Sequence, residues 1–263
     1  MKAQVLELLR RSHVAVARDT LPTRIALYFH ALEAVDRPAF SAAMKTFATL
    51  GYRFVDARTY AFNATDEKLV FVSFDDNYRS WHDSLDTLEA CGVTATFYVN
   101  SGVLRDTCPP DDIAGYFDRI RHTGERVTLN RAEIYDLAER GHTIGCHTHS
   151  HPVLSALPPE NWPDEILRSK QTLEDLSGRA VQDFSFPFGM RRHFSSALRT
   201  YCASIGFRTI ATGLPAQHRA GFIDPLALHR TEWKFDLSLA DNLTNLRIDG
   251  RLYGWLFGRS VIG

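Results

Sequence analysis

The chain has 263 residues, 44% of them hydrophobic, which is long enough to bury a sizeable core in one domain. Thirty basic and thirty-one acidic residues leave a formal charge of −1, which excludes a global field that would recruit nucleic acid or an anionic membrane. The four cysteines lie far apart without a Cys-x-x-Cys pair, which argues against a disulfide framework and a thiolate zinc site. We interpret them, Cys146 included, as packed, reduced thiols.

The N-terminal segment predicts no targeting signal. Arg10 and Arg11 interrupt its apolar positions before a signal-peptide hydrophobic region of normal length could form. No later stretch approaches the ~18 to 20 apolar residues that a membrane span requires. We therefore expect a cytoplasmic protein without a transmembrane span.

Strand-like and helical patterns alternate along the chain, with short apolar runs predicting strands and glycine-terminated amphipathic runs predicting helices. The predicted strands are residues 24–30, 68–74, 93–99, 142–146, 181–186 and 207–211. The predicted helices are residues 37–51, 77–91, 113–121, 129–140, 164–176 and 195–205. This alternation indicates a single α/β domain over residues 1–263, a parallel barrel with its site at the carboxyl ends of the strands. We interpret residues 106–128 as an insertion over one rim that shapes substrate choice.

Two adjacent carboxylates, Asp75 and Asp76, follow the apolar run that ends at Phe74. A charge at the end of a buried strand must find water, a partner or a metal. Taken alone, the pair also fits a helix N-cap followed by a first-turn acid. The pair is therefore informative only together with a second motif.

The second motif is GCHTHSHP, residues 145–152, in which three histidines alternate. Both extended and helical geometry let His147 and His151 face the same way, and imidazole is a common zinc ligand. A carboxylate from Asp75 or Asp76 would complete a two-histidine, one-carboxylate metal set. We expect His149 to turn away from such a metal.

These stretches resemble the motifs of the polysaccharide deacetylases, carbohydrate esterase family 4, also called the NodB homology domain. VSFDDN is similar to the family's TFDDG motif, HTHSH to its H-[ST]-x-x-H motif, and LEDLSGRAVQDFSFPFG to the approach to its third motif. ATFYV is similar to the strand after the first motif, and LALHR to a late element usually reading LPR. The resemblance covers about residues 25–230. It implies a distorted (β/α) barrel of seven strands and metal-dependent removal of an N-acetyl group from an amino sugar.

The resemblance also implies the metal chemistry. Asp76, His147 and His151 would bind a divalent ion, zinc by family expectation, although cobalt, iron, manganese or nickel also suit such ligands. The ion would polarise the amide carbonyl and make a water molecule more acidic. Asp75 would be the general base, separated from the ion because neighbouring strand residues face opposite sides.

The third motif, SFPFG, implies an oxyanion site and substrate contacts. The backbone N–H of Phe188 would stabilise the oxyanion, with Pro187 and Gly189 fixing the turn. We group Pro187 with His30, at the end of the first strand, as predicted substrate-binding residues.

The chain departs from the family pattern at two places. Ser185 stands where the third motif often has an arginine that orients the base, and Arg230 is our candidate replacement because a guanidinium can bind a carboxylate in two-pronged fashion. The late Leu-x-His motif that supplies the general acid has no clear copy after Trp233. His229 and His30 are our candidate proton donors.

The tail, residues 241–263, places Gly250, Gly254 and Gly258 among apolar side chains. It is too short to cross a bilayer, so we expect it to pack on the barrel or between subunits. The alternative is contact with a membrane surface, where the protein would meet a lipid-linked sugar.

We predict a deacetylase for an N-acylated amino sugar that is polymeric, nucleotide-linked or lipid-linked, acting in the assembly of a surface polysaccharide or its precursor. Nucleic acid is not an expected partner. One alternative is an amidohydrolase on the same barrel that cleaves a small non-sugar amide. The other is a non-catalytic carbohydrate-binding relative, which Ser185 and the absent late histidine motivate.

Overall fold

The structure, a computed structural model, describes residues 21–247. The strands are β1 Arg24–Phe29, β2 Arg53–Val55, β3 Leu69–Asp75, β4 Ala95–Val99, β5 Thr143–Cys146, β6 Asp183–Ser185, β7 Thr209–Thr212, β8 Leu228–His229 and β9 Thr231–Glu232. The α-helices are α1 Arg37–Thr49, α2 Ala57–Phe62, α3 Leu85–Ala90, α4 Pro110–Arg119, α5 Arg131–Glu139, α6 Arg168–Ser177, α7 Ser196–Ser204 and α8 Leu239–Asn245. Short 3-10 turns lie at Arg79–Ser84, Leu154–Ala156, Pro159–Asn161, Arg191–His193 and Pro225–Ala227, and a π-helical turn at Pro163–Leu167.

The strands form one parallel sheet that nearly closes into a barrel. Their order is β8-β7-β6-β5-β4-β3-β1-β9, and β2 pairs with β3 beside this path. Only Arg230 separates β8 from β9, yet β8 pairs with β7 and β9 pairs with β1. One extended segment therefore joins the two ends of the sheet. The predicted distorted (β/α) barrel is confirmed, with eight strands along the path, or seven positions if β8 and β9 are counted as one segment.

Strand β3 shows how the two faces of the sheet differ. Val70, Val72 and Phe74 pack in the larger apolar cluster, which includes the residues of the surrounding helices. Phe71 belongs to a smaller cluster with Tyr60 of α2. Because side chains alternate along a strand, the residues in register with Phe71 continue towards the carboxyl end inside the barrel. The interior is apolar low in the barrel and polar at its mouth.

The predicted helix over residues 77–91 differs from the structure. A 3-10 helix covers Arg79–Ser84, and α3 begins only at Leu85. The side chains of this segment bond outside it: Trp81 Nε1 donates to the carbonyl of His30 at 2.7 Å, and Ser80 Oγ accepts from the backbone N–H of Leu32 at 3.0 Å. These contacts hold the segment against the loop after β1, where it supports the barrel mouth.

Other differences concern short or terminal segments. The strands β2, β8 and β9 and the helices α2 and α8 were not predicted, and each has seven residues or fewer. Within residues 21–247, no helix combines the length and apolar character needed to cross a bilayer. Most of the tail for which we predicted packing or membrane contact, residues 248–263, lies outside the described residues.

The interior of the barrel leaves no room for a side chain at Gly145 of β5. An added Cβ would lie 2.5 Å from Tyr98 Cδ1 and 3.2 Å from the carbonyl oxygen of Asp183. We expect Gly145→Ala to lower the free energy of unfolding by about 1–3 kcal/mol, because overpacking displaces neighbours. Urea unfolding followed by circular dichroism measures this change.

Gly115→Ala in α4 is the matched control for that substitution. Nothing lies within 4 Å of an added Cβ there, so alanine should stabilise the helix by about 0.5–1 kcal/mol. Equal midpoints for Gly145→Ala and wild type would contradict the packing described for β5.

Candidate metal and catalytic site

The two adjacent carboxylates both face the mouth of the barrel. Asp75 is the last residue of β3 and continues its inward-facing series. Asp76 has φ +82° and Asn77 has φ +58°, so the chain turns through the left-handed region instead of continuing as a strand. This turn brings the side chain of Asp76 into the cavity that Asp75 lines. The prediction that alternation places them on opposite sides is wrong, because alternation ends where the strand ends.

Neighbouring elements hold this turn. The hydroxyl of Tyr116, in α4, contacts the backbone carbonyl of Asp76. The side-chain amide of Asn77 lies 3.3 Å from the carbonyl oxygens of both Asn100 and Val103. A left-handed conformation at a non-glycine residue costs about 1–3 kcal/mol and persists only where its surroundings fix it. Asp76 is such a residue.

Two histidines meet the carboxylate of Asp76. His147 directly follows β5, and the loop after it turns at Thr148 and His151, which have φ +71° and +62°. Nε2 of His147 and Nε2 of His151 each lie 3.1 Å from Oδ1 of Asp76. One ligand atom from each residue lies within 4.8 Å of the others, and all three residues are buried. The structure therefore brings together the three residues predicted to bind metal.

The hydrogen bonds of this group suit a metal ion. Nδ1 of His147 lies 2.7 Å from the carbonyl oxygen of Ser185, to which it donates, so Nε2 keeps its lone pair for a metal. Burial alone would raise the pKa of Asp76, but the adjacent imidazoles of His151 and His147 hold it well below its usual value. An ionised carboxylate beside two imidazole nitrogens fits a zinc-class divalent ion.

Asp75 has a different partner, the guanidinium of Arg230. Two Arg230 nitrogens donate to the two carboxylate oxygens, each at 2.8 Å. Arg230 also donates to Ser185 Oγ, and Ser185 donates to Asp75 at 3.2 Å. Burial alone would raise the pKa of Asp75, but Arg230 and then His147 lower it below its usual value. Asp75 is thus held ionised and oriented.

Arg230 is itself fixed on every side. Its Nε donates to the carbonyl of Thr212 at 3.1 Å, and another nitrogen donates to Ser73 Oγ at 2.9 Å. The guanidinium carbon lies 4.9 Å from the ring centre of Tyr28 and 5.1 Å from that of Tyr98. The arginine predicted to replace the one missing at position 185 therefore contacts the predicted base.

A cavity of about 210 Å³ lies above these groups. The residues that line it are Tyr28, His30, Asp75, Asp76, Ile120, His147, His151, Phe188, Gly189 and Gly213. Ile120 directly follows α4, so the insertion over residues 106–128 reaches the site, as its predicted position over one rim implies. Sequence reasoning missed Tyr28, although the same alternation that points His30 inward points Tyr28 inward two residues earlier.

The two candidate proton donors lie in different surroundings. His30 lines the cavity, with Nε2 3.6 Å from Oδ2 of Asp76 and Nδ1 3.6 Å from Oε1 of Glu232. His229 is not among the cavity-lining residues. Its Nδ1 lies 2.9 Å from Thr212 Oγ1, and its ring centre lies 6.0 Å from that of His218. Since Arg230 faces the interior, alternation turns His229 away, and this corrects its interpretation as a catalytic residue.

The SFPFG turn forms one wall of the cavity. Phe188 has φ +64°, and its ring centre lies 4.8 Å from that of His151. A Cβ on Gly189 would lie 2.5 Å from the backbone nitrogen of Gly213, so only glycine fits. Pro187 is buried and does not line the cavity, so the structure places it in the turn and not in direct contact with a substrate.

The sequence is similar to those of known deacetylases. The polysaccharide deacetylase family model matches residues 62–210. The chain is 26% identical over 141 residues to the peptidoglycan-N-acetylglucosamine deacetylase of Bacillus cereus, covering 52% of this chain and 43% of that protein. It is 24% identical over 148 residues to the peptidoglycan-N-acetylmuramic acid deacetylase PdaA of Bacillus subtilis, covering 56% and 47%. The chain spans about half the length of the curated relatives it matches.

Solved structures share the fold. The Streptococcus pyogenes deacetylase PplD, in complex with acetate, matches with a TM-score of 0.67 at 17% identity, covering 86% of this chain and 99% of that one. IcaB from Ammonifex degensii matches with a TM-score of 0.69 at 18% identity, covering 87% and 98%. At these identities the likeness shows the fold alone. The family model, however, matches more than half of the sequence, and the chain therefore belongs to the polysaccharide deacetylase family.

Proposed function

We propose that this protein is a divalent-metal-dependent hydrolase that removes the N-acetyl group from an amino sugar. The observation that carries the proposal is one cavity holding a metal-ligand set, Asp76, His147 and His151, beside an ionised carboxylate, Asp75, clamped by Arg230. Membership of the polysaccharide deacetylase family supports this choice of substrate class.

The three ligand residues would hold a zinc-class ion, with zinc the expected metal. Such an ion, when bound, polarises the amide carbonyl and makes a water molecule more acidic. The residues supply two neutral nitrogens and one negative charge, so the bound site would keep a positive charge towards the substrate. That charge suits a reaction in which an oxygen becomes negative.

Asp75 is suited to accept the proton of the attacking water. Its lowered pKa keeps the carboxylate ionised at neutral pH, and the two bonds from Arg230 fix its orientation. As the water oxygen adds to the carbonyl carbon, one water proton moves to Asp75 and the carbonyl oxygen becomes an oxyanion. The backbone N–H of Phe188, at the edge of the cavity, is our proposed donor to this oxyanion.

Breaking the C–N bond requires a proton on the departing nitrogen. His30 is the proposed donor, because it lines the cavity and touches both Asp76 and Glu232. Its side chain is 41% exposed, so it can exchange protons with solvent. The products are acetate and a free amino sugar.

The central test is acetate release from penta-N-acetylchitopentaose by zinc-loaded protein. We expect Asp75→Asn to retain zinc, measured by elemental analysis, while its rate falls by about 10²–10⁴ because the base is lost. Asp76→Asn should lose both zinc affinity and activity, and chelation of the wild type should abolish activity until zinc is restored.

Asp86→Asn is the control for removing an acid, since this side chain is 95% exposed and does not line the cavity. It should match the wild type. Binding of the oligosaccharide without acetate release would instead favour the carbohydrate-binding alternative. Chelator-resistant cleavage of small non-sugar amides would instead favour an amidohydrolase that acts on such amides.

Arg230→Met should shift the acid limb of the kcat/KM profile to higher pH. The guanidinium lowers the pKa of Asp75, so its removal raises that pKa and the base protonates earlier as pH falls. Because the folded-state pKa of Asp75 is lowered, the ion pair also stabilises the fold at neutral pH. This stabilisation is lost as pH falls through the folded-state pKa of Asp75. The pH–rate profile of each variant measures the shift.

Arg230→Lys is the matched variant, since it keeps the charge and loses the two-pronged bond. Its acid limb should fall between those of wild type and Arg230→Met. Leaving Asp75 unpaired costs about 3–5 kcal/mol, so unfolding curves must show that each variant is folded at the assay temperature. An unmoved acid limb in folded Arg230→Met would contradict the role of Arg230.

His30→Asn should slow the amide reaction and spare an activated ester. The departing sugar nitrogen needs a proton, whereas p-nitrophenolate leaves from p-nitrophenyl acetate without one, so only amide cleavage should fall, by about 10²–10⁴. His229→Asn is the control and should leave both rates unchanged, since His229 faces away from the cavity. A parallel loss on both compounds would exclude His30 as the proton donor.

The amino sugar could be part of a polymer or be linked to a nucleotide or lipid in a precursor. A polymer is supported by the two relatives named for peptidoglycan sugars. A nucleotide- or lipid-linked precursor of a surface polysaccharide is the other form we propose. Acetate release compared between peptidoglycan, chito-oligosaccharide and UDP-N-acetylglucosamine decides between polymer and precursor.

A further inference from the structure

Tyr28 lines the cavity and has no part in the mechanism given above. It lies in β1 two residues before His30, so both side chains face the barrel interior. One face of its ring lies against the guanidinium of Arg230, 4.9 Å from ring centre to Cζ. Its ring also meets that of His30 edge-on at 5.6 Å. These two contacts fix the ring and therefore the position of its hydroxyl.

The hydroxyl of Tyr28 points to the wall that carries the SFPFG turn. A Cβ placed on Gly213 would lie 3.4 Å from the Tyr28 hydroxyl and 3.3 Å from Cα of Gly189. The hydroxyl therefore lies beside the point where Gly189 and Gly213 pack together, one residue from Phe188. None of the hydrogen bonds between the described residues uses this hydroxyl, which leaves its proton for a group in the cavity.

The phenol remains a neutral donor in these surroundings. Burial raises the pKa of Tyr28, the carboxylate of Glu232 raises it further, and the opposing effect of Arg230 is smaller. A neutral O–H donates a hydrogen bond to a carbonyl oxygen and donates a stronger one when that oxygen becomes negative. The hydroxyl is therefore a rigid donor on the cavity wall beside the SFPFG turn. It is positioned to donate a hydrogen bond to the carbonyl oxygen of the acyl group.

We propose that Tyr28 is a catalytic residue that donates a hydrogen bond to the carbonyl oxygen of the acyl group, together with the backbone of the SFPFG turn. This inference rests on the proposed deacetylase function. The hydroxyl keeps its proton throughout, so the proton balance through Asp75 and His30 is unchanged. Its bond strengthens as the oxyanion forms, so Tyr28 acts on kcat more than on KM.

The test is Tyr28→Phe, which removes one oxygen and keeps the ring on Arg230. With zinc-loaded protein, we expect kcat to fall by about 10²-fold on both penta-N-acetylchitopentaose and p-nitrophenyl acetate, because both reactions form an oxyanion. KM and zinc content should stay at wild-type values. The joint loss separates Tyr28 from His30, whose removal should spare the ester.

Tyr98→Phe is the matched control. The Tyr98 ring also lies against the guanidinium of Arg230, with 5.1 Å between ring centre and Cζ, but the residue is fully buried and does not line the cavity. Its kcat should equal that of the wild type. An equal loss in Tyr98→Phe would show that the tyrosines act only through Arg230 and would overturn the inference.

Gly213→Ala gives a second, independent variant. Its methyl group would stand between the Tyr28 hydroxyl and the Gly189 turn, so it should reduce kcat in the wild-type background and have a smaller effect when Phe replaces Tyr28. An unchanged kcat in Tyr28→Phe, or a change in KM alone, would overturn the role of Tyr28 and leave the deacetylase proposal intact. A wild type that hydrolyses neither compound would contradict both.

Discussion

The site depends on keeping two neighbouring carboxylates ionised although both are buried. Asp75 and Asp76 are each only 6% exposed, and burial alone would raise both pKa values and favour the protonated forms. Each carboxylate therefore has its own source of positive charge or hydrogen bonds. A guanidinium serves Asp75, and two imidazoles serve Asp76, where a divalent ion would add its charge. This division of partners makes two chemically identical side chains suited to two different tasks.

The guanidinium also links the site to the closure of the barrel. Arg230 is the single residue between β8 and β9, whose pairing with β7 and β1 joins the ends of the sheet. Its nitrogens bond to Thr212 of β7, Ser73 of β3 and Ser185 beside them. A base held in this way cannot reorient unless the seam of the sheet opens. The residue at which the barrel closes therefore also orients the predicted base, and this makes the site rigid.

Much of the fold was predictable because its strands are buried on both faces. The run over residues 69–74 is apolar except at Ser73, and the run over residues 95–99 is apolar except at Thr96, so strands such as β3 and β4 stand out. The two-residue strands β8 and β9 carry no such pattern, since their pairing is imposed by the barrel and not by their own residues. The three residues that could hold a metal ion, Asp76, His147 and His151, were predictable from the resemblance of their motifs to those of the family. The inward turn of Asp76 was not, because a positive φ at aspartate depends on contacts from α4 and the loop after β4.

His229 and Tyr28 show what residue type alone cannot predict about a site. His229 was singled out because histidine is a common proton donor, yet its direction follows from its neighbour Arg230, whose place at the seam only the sheet pairing reveals. Tyr28 was overlooked because tyrosine in an apolar strand is ordinary, although its register with His30 already placed it inside the barrel. Residue type therefore nominated candidates, and strand register decided which of them could reach the cavity.

The insertion over residues 106–128 has two roles that constrain each other. Through Ile120 it forms part of the cavity wall, where contacts with a substrate would be made. Through the Tyr116 hydroxyl it holds the backbone of Asp76, the proposed metal ligand, whose left-handed turn costs about 1–3 kcal/mol. The backbone N–H of Arg79 also donates to the carbonyl of Val127 at 2.9 Å, so the far end of the insertion is attached just beyond the same turn. A change that reshaped this wall would therefore also act on the geometry of the metal ligand, and substrate choice and metal affinity should vary together here.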